Sequence, residues 1–317
     1  MNIKYVGVIA AIIIVGFLTL VFFRTSGETQ SQKVKVVTSF YPVYYFAQQV
    51  GGDKADVLNI TPAGAEPHDY EPTPQDLANI QNSDLLILNG DGFEPWAEAV
   101  QNSVDKNRTK VIAAGAGLAS LEATHEEHEE HEDEGSEEDH VLDPHVWLSP
   151  ALASRMVDSI AAGFIASDTE NSAYYRARAD ALKQKLEVLD AEFQAGLSSC
   201  SKDDIITSHA AFGYIASAYK LRQVAIGGLS IEEEPSPREL AEIAKFARDN
   251  DVRYIFFETL VSPKLSQTIA TEVGAQTLVL NPLEGLTSEE MAQGKDYFTE
   301  MRVNLANLKI ALECSPR

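Results

Sequence analysis

Seven histidines occur in the 317 residues, and they fall into two sets of different chemical character. Three stand apart, each where one run of sequence gives way to another. His68 lies in Gly64-Ala-Glu-Pro-His-Asp-Tyr-Glu-Pro-Thr-Pro74, a turn stiffened by proline. His145 lies in Asp143-Pro-His-Val-Trp-Leu-Ser-Pro150, again bracketed by proline. His209 follows Ile205-Ile-Thr-Ser208 and precedes Ala210-Ala-Phe-Gly-Tyr214. Glu284, in Leu280-Asn-Pro-Leu-Glu-Gly-Leu286, occupies a comparable place after a strand-like run. A lone histidine is more often a surface or satisfied core residue than a ligand. Three at equivalent positions, two of them in stiffened turns, point instead to a metal site. Imidazoles gathered in this way are ready ligands for a transition metal. Asp69 and Asp143 are candidate acceptors for the second ring nitrogens of such ligands.

The second set is His125, His128, His131 and His140, in the segment 124–140, where ten acids lie between Glu126 and Asp139 without a Lys or Arg. Such a composition cannot bury a core and predicts a solvated loop, spanning 122–141. The first three histidines recur every three residues, so they do not make the His-Glu-x-x-His helix of a zinc protease, which needs a spacing of four. Imidazoles among carboxylates bind transition metals loosely, which makes these four candidates for an accessory, weak metal-gathering role.

The elements that must position the first set follow an α/β rhythm. Strand-like runs cover Lys33–Phe40, Ala55–Ile60, Asp84–Asn89 and Lys110–Ala113, with helical patterns between them, such as Pro74–Asn82. The second half repeats this with Asp204–Ser208, Arg222–Ile226, Val252–Glu258 and Gln276–Leu280, separated by helices at Phe212–Tyr219, Pro237–Asn250 and Lys264–Val273. A final amphipathic helix is predicted from Ser288 to Cys314. Alternation of this kind indicates parallel sheets, whose ligands gather at the C-terminal ends of strands. Between the halves, Asn171–Gly196 has no proline or internal glycine, and Leu182, Leu186, Leu189 and Phe193 fall at helical spacing. That predicts a rod of about seven turns.

Composition sets the outer limits. A formal charge of −23 excludes nucleic acid as a partner, because phosphates call for a basic surface. Val6–Phe23 is apolar and uncharged between Lys4 and Arg24, close to the ~20 residues that cross a bilayer. Its end is bulky, without the small residues of a signal cleavage site, so an uncleaved anchor is the favoured reading over a removed signal. Either way the remainder is expected outside the cytoplasm. Only two cysteines occur, Cys200 and Cys314. In an exported chain they read as one disulfide, or else as two separate thiols, and their spacing excludes a Cys-rich zinc site.

Pro67-His-Asp-Tyr-Glu-Pro-Thr-Pro74, Asp143-Pro-His-Val-Trp147, Thr207-Ser-His-Ala-Ala-Phe-Gly-Tyr214, Gly228-Leu-Ser with Glu234-Pro-Ser-Pro237, and Asn281-Pro-Leu-Glu-Gly-Leu286 together resemble the zinc/manganese substrate-binding proteins of ABC importers, the ZnuA/TroA-like family. The resemblance runs in order from Val34 to the C-terminus. It implies two α/β lobes, each with a mostly parallel sheet of about four strands, joined by one long backbone helix with the metal in the cleft. The lobes would be 33–168 and 199–317, the linking helix 169–198, and 1–32 the transmembrane anchor or signal with its tether. Carried over by position, His68 and His145 come from the first lobe, His209 and Glu284 from the second. Manganese-binding relatives place a carboxylate where His209 stands, so an imidazole there implies the zinc-specific branch, with Mn²⁺ the alternative. The implied partners are a permease and its ATPase. The lipid-bearing cysteine of many bacterial relatives is absent, which leaves the N-terminal helix as the expected link to the membrane, and the protein is expected to act as a monomer. Two rival readings use the same residues: a zinc hydrolase with Glu284 as general base, and an adhesin braced by its metal.

Overall fold

Residues 33–122, 142–229, 235–260 and 262–315 are described by the computed structural model of the chain. The apolar run Val6–Phe23 and the acidic segment with His125, His128, His131 and His140 lie outside them. Among the described residues no helix is long and apolar enough to cross a membrane.

The first half runs β1 (Val34–Thr38), α1 (Tyr41–Gly51), β2 (Ala55–Asn59), α2 (Pro74–Gln81), β3 (Leu85–Leu88), α3 (Ala97–Ser103) and β4 (Lys110–Ala113). Its strands form a parallel sheet in the order β2-β1-β3-β4, with Val36 of β1 beside Val57 on one side and Leu85 on the other. The central strand β3 is Leu-Leu-Ile-Leu and buried throughout, as expected where helices cover both faces. Then come α4 (Pro150–Ser167) and α5 (Ser172–Leu197). The second half follows as β5 (Asp204–Thr207), α6 (Gly213–Tyr219), β6 (Arg222–Ala225), α7 (Pro237–Asp249), β7 (Tyr254–Phe257), α8 (Lys264–Val273), β8 (Gln276–Val279), α9 (Ser288–Ala292) and α10 (Tyr297–Ala311). Its parallel sheet has the matching order β6-β5-β7-β8. The architecture is therefore two four-stranded parallel α/β sheets and one long helix, α5.

At 26 residues, α5 is about 39 Å long at a rise of 1.5 Å per residue. It buries Leu182, Leu186, Leu189 and Phe193 along one face. That face joins a single apolar core running from Val34, Phe46 and Trp147 in the first half to Phe212, Leu283, Tyr297 and Met301 in the second. Each sheet keeps a smaller separate core on its other face, around Ile80 and Leu86 in one and Ile206 and Ile255 in the other. Cys200 and Cys314 are joined in a disulfide, which ties the segment before β5 to the end of α10.

One helix differs from its expectation. The amphipathic pattern from Ser288 to Cys314 is two helices, because Gly294 takes a φ of +82° and Asp296 starts afresh as the N-cap of α10. The Asp296 side chain accepts from the Thr299 N–H while Thr299 Oγ1 accepts from the Asp296 N–H, a reciprocal cap that halts any helix arriving from α9.

Candidate metal centre

Each of the four candidate ligands follows a chain segment that a specific contact fixes. His68 lies in the proline-rich turn beyond β2, where its backbone N–H donates to Glu66 Oε1 at 3.1 Å. His145 is fully buried just before a single 3₁₀ turn, Val146–Leu148. Asp143 Oδ1 receives both the His145 backbone N–H, at 2.9 Å, and its Nδ1, at 2.7 Å. That partner holds the proton on Nδ1 and leaves the Nε2 lone pair for the site. His209 leaves the end of β5, and its Nδ1 meets Glu258 Oε1 at 2.7 Å. Glu258 comes directly after β7, so two adjacent strand ends deliver a ligand and its support together.

Glu284 is aimed by an unusual backbone. Leu283 before it has a φ of +58°, a region that costs a residue with a Cβ about 1–2 kcal/mol. The surroundings enforce it: Asn281 Oδ1 accepts the Leu283 N–H at 2.8 Å, and Leu283 itself is wholly buried. Asn281 is held in turn by Asn304 of α10, which accepts from its N–H and donates to its carbonyl.

These segments bring one ligand atom from each of His68, His145, His209 and Glu284 within 4.8 Å of one another. Glu284 Oε1 lies 3.3 Å from Nε2 of His68, 3.3 Å from Nε2 of His145 and 3.4 Å from Nε2 of His209. The Nε2 atoms of His145 and His209 are buried without a hydrogen-bond partner. Such orphaned polar atoms are costly, and a cation at their meeting point removes the cost. The donor set and these free lone pairs fit a divalent transition metal.

The charges are tightly linked. Burial lowers the proton affinity of His145, but the Asp143 carboxylate bonded to its Nδ1 and the nearby Glu284 outweigh this and raise its pKa above the ordinary value. Burial acts likewise on His209, and the negative charges of Glu258 and Glu284 raise it well above the ordinary value. Burial raises the Glu284 carboxyl, yet His209 first, with His145 and His68 beside it, holds it well below the usual range. Without a metal, His145 and His209 therefore hold a proton more firmly than a free imidazole, and an incoming cation must compete with it.

The second half closes on the first through buried polar bonds. Trp147 Nε1 donates to Pro282 O at 2.7 Å, two residues before Glu284. The Tyr297 hydroxyl donates to Trp147 O at 2.6 Å, and the Tyr214 hydroxyl donates to Asp143 O at 2.8 Å. A Cβ on Gly213 would stand 2.7 Å from Asp143 Oδ2, so the close approach of α6 to this carboxylate requires glycine there.

Of the two acidic supports anticipated from sequence, Asp143 meets its histidine, whereas Asp69 is exposed. Two others escape sequence reasoning. Glu258 carries no motif beyond its place after an apolar run. Glu66 has one oxygen on the His68 N–H and the other buried without a partner, and burial, then the nearby Glu284, pushes its pKa up to about 8.

Two parallel α/β sheets bridged by a helical rod, with three imidazoles and a carboxylate converging beside their strand ends, define a binding protein for a small cation. The chain belongs to the family described as zinc-uptake complex component A, periplasmic, whose model matches residues 36–311. It is 42% identical over 289 residues to the high-affinity zinc uptake system protein ZnuA of Bacillus subtilis, covering 91% of both chains. Among solved structures it is similar to the Zn(II)-bound ZnuA-like domain of Streptococcus pneumoniae AdcA, with 37% identity, a TM-score of 0.75, and 89% of this chain and 99% of that one covered. It is also similar to the laminin-binding protein Lmb of Streptococcus agalactiae, with 33% identity, a TM-score of 0.77, and 89% and 100% of the two chains covered.

Proposed function

We propose that the chain is an extracytoplasmic zinc-binding protein that captures Zn²⁺ with His68, His145, His209 and Glu284 and hands it to the permease and ATPase of an ABC-type importer. The observation that carries this reading is the buried convergence itself, with Nε2 of His145 and His209 left without hydrogen-bond partners. Three imidazoles with one carboxylate favour Zn²⁺ over the harder Mn²⁺, which prefers oxygen donors. The names of the ZnuA and AdcA relatives point the same way. In this reading 33–168 and 199–317 act as two lobes about the linking segment 169–198. Residues 1–32 hold the monomer to the membrane, and His125, His128, His131 and His140 gather metal weakly nearby.

The zinc-hydrolase alternative requires an open coordination position and a carboxylate free to act as base. Glu284 Oε1 lies almost equally far from three Nε2 atoms, which supports a fourth ligand and a carrier that is not an enzyme. The likeness to Lmb, titled a bifunctional protein with adhesin and metal transporting activity, supports surface adhesion as a second role.

The test is metal analysis of the purified full-length protein beside its His209→Ala variant. The wild type is expected to hold one zinc per chain and to reject excess Mn²⁺, and the variant to lose the zinc during dialysis against a chelator. Stoichiometric zinc retained by the variant would remove His209 from the site.

A further inference from the structure

The candidate ligands are not held alike. Nδ1 of His145 and Nδ1 of His209 each meet a buried carboxylate at 2.7 Å. Among the described residues no carboxylate supports His68 in this way. Its ring instead rests edge-to-face on Phe93, with centroids 4.6 Å apart and planes at 64°.

Phe93 is itself fixed on every side. It is 1% exposed, its ring centroid lies 4.3 Å from that of Phe40 and 5.1 Å from that of Trp147, and Phe40 and Trp147 pack on each other at 4.7 Å. The loop that carries it, between β3 and α3, is pinned by Glu94, whose buried carboxylate accepts the N–H groups of Asn89 at 2.6 Å and Gly90 at 3.0 Å. Asn89 Nδ2 in turn donates to Pro144 O at 3.0 Å, next to His145. One loop therefore reaches both ligand-bearing segments of the first half: it touches the His68 ring directly and holds the turn of His145 through Asn89.

We infer that Phe93 is a positioning residue for His68, supplying by ring contact the orientation that Asp143 and Glu258 supply to the other imidazoles by hydrogen bonds. The inference rests on the zinc-capture reading of the site. An aromatic contact fixes the plane of the imidazole through dispersion and the ring quadrupole, without adding charge or selecting a tautomer. Losing the ring therefore frees His68 to leave the productive geometry, while the other three ligands keep theirs.

The experiment measures zinc loss from the full-length, zinc-loaded protein into excess EDTA by stopped flow. Five proteins are compared: wild type, Phe93→Leu, Phe93→Met, His68→Ala and the Phe93→Leu/His68→Ala double variant. Phe93→Leu is expected to release zinc roughly three- to tenfold faster, the scale of one aromatic pair, while still binding one zinc per chain. In the His68→Ala background the same change should alter release by roughly twofold or less, because the group it acts through is gone. Phe93→Met fills the space with a flexible chain and should match Phe93→Leu, so the result does not hang on the folding of one variant. Equal acceleration in both backgrounds, or none in the wild-type background, overturns the inference, since a general loosening does not depend on His68. If His68→Ala alone leaves zinc binding and release unchanged, the zinc-site reading itself fails, and that outcome is separable from the other two.

Discussion

Glu258 offers the sharpest test of how the site works. Its carboxylate lies 2.7 Å from His209 Nδ1 and is almost fully buried, so it makes Nε2 a better donor to any cation, whether zinc or a proton. Glu258→Gln keeps the shape and an acceptor oxygen but removes the charge. Loss of such an outer partner weakens metal binding about 10–100-fold, or ~1.4–2.8 kcal/mol. The same loss lowers the proton affinity of His209, which Glu258 helps to raise. The two effects oppose each other in acid. At pH 8 competing protons count least, and the variant should show the larger deficit. At pH 6 the wild type must expel a proton that the variant holds less firmly, so the deficit should shrink. Competition titrations against a chelator at the two pH values give the two ratios. A deficit that stays constant, or grows in acid, refutes the reasoning.

Three further outcomes follow from the geometry. Trp147→Phe removes the indole donor to Pro282 O and leaves a buried carbonyl unpaired, which should destabilise the protein by about 1–3 kcal/mol in denaturant melts and weaken zinc binding through the Glu284 loop. Gly213→Ala sets a methyl 2.7 Å from Asp143 Oδ2; calorimetry should find zinc affinity lowered about tenfold or more, as for damage to an outer partner, with the helical content unchanged by circular dichroism. The metal-free protein should melt at a higher temperature near pH 6 than at pH 8.5. The raised pKa values of His145 and His209 give stability that is complete below the unfolded value of 6.5 and is lost as pH rises through their folded values. Glu66, pushed up to about 8, adds a loss of the same sign above the unfolded value of 4.5. The depressed Glu284 contributes stability above 4.5 that is lost only as pH falls further toward its folded value. The rise in melting temperature on adding zinc should have the opposite slope and grow with pH, because protons compete for the same nitrogens; parallel slopes with and without zinc would contradict these charge assignments.

Much of this was legible in the sequence because it is local. The positions of His68, His145 and His209 after strand-like runs, two of them in proline turns, marked the site, and the resemblance supplied Glu284. Strand limits were read to within a few residues, since alternating short apolar runs report burial directly. What escaped depends on distance in space. Glu258 is one of 48 acids, and only the pairing of β5 with β7 shows that it faces His209. The positive φ of Leu283 leaves no mark in sequence, because leucine does not favour it and the bonds that enforce it come from Asn281 and Asn304. The final helix was read too long because Gln293–Asp296 interrupts an otherwise continuous amphipathic pattern with one glycine and one cap.

The apolar core that links Phe46, Trp147, Phe193, Phe212, Leu283 and Tyr297 bears on how such chains can diversify. Halves that met only at a hinge would be modules, free to be traded between relatives so long as each brought its own ligands. Here the second half supplies the carbonyl that Trp147 needs and the phenol that caps its backbone. A chimaera that joins this first half to the second half of a relative should therefore melt early and broadly, even with all four ligands retained, unless the partners of Trp147 come with it.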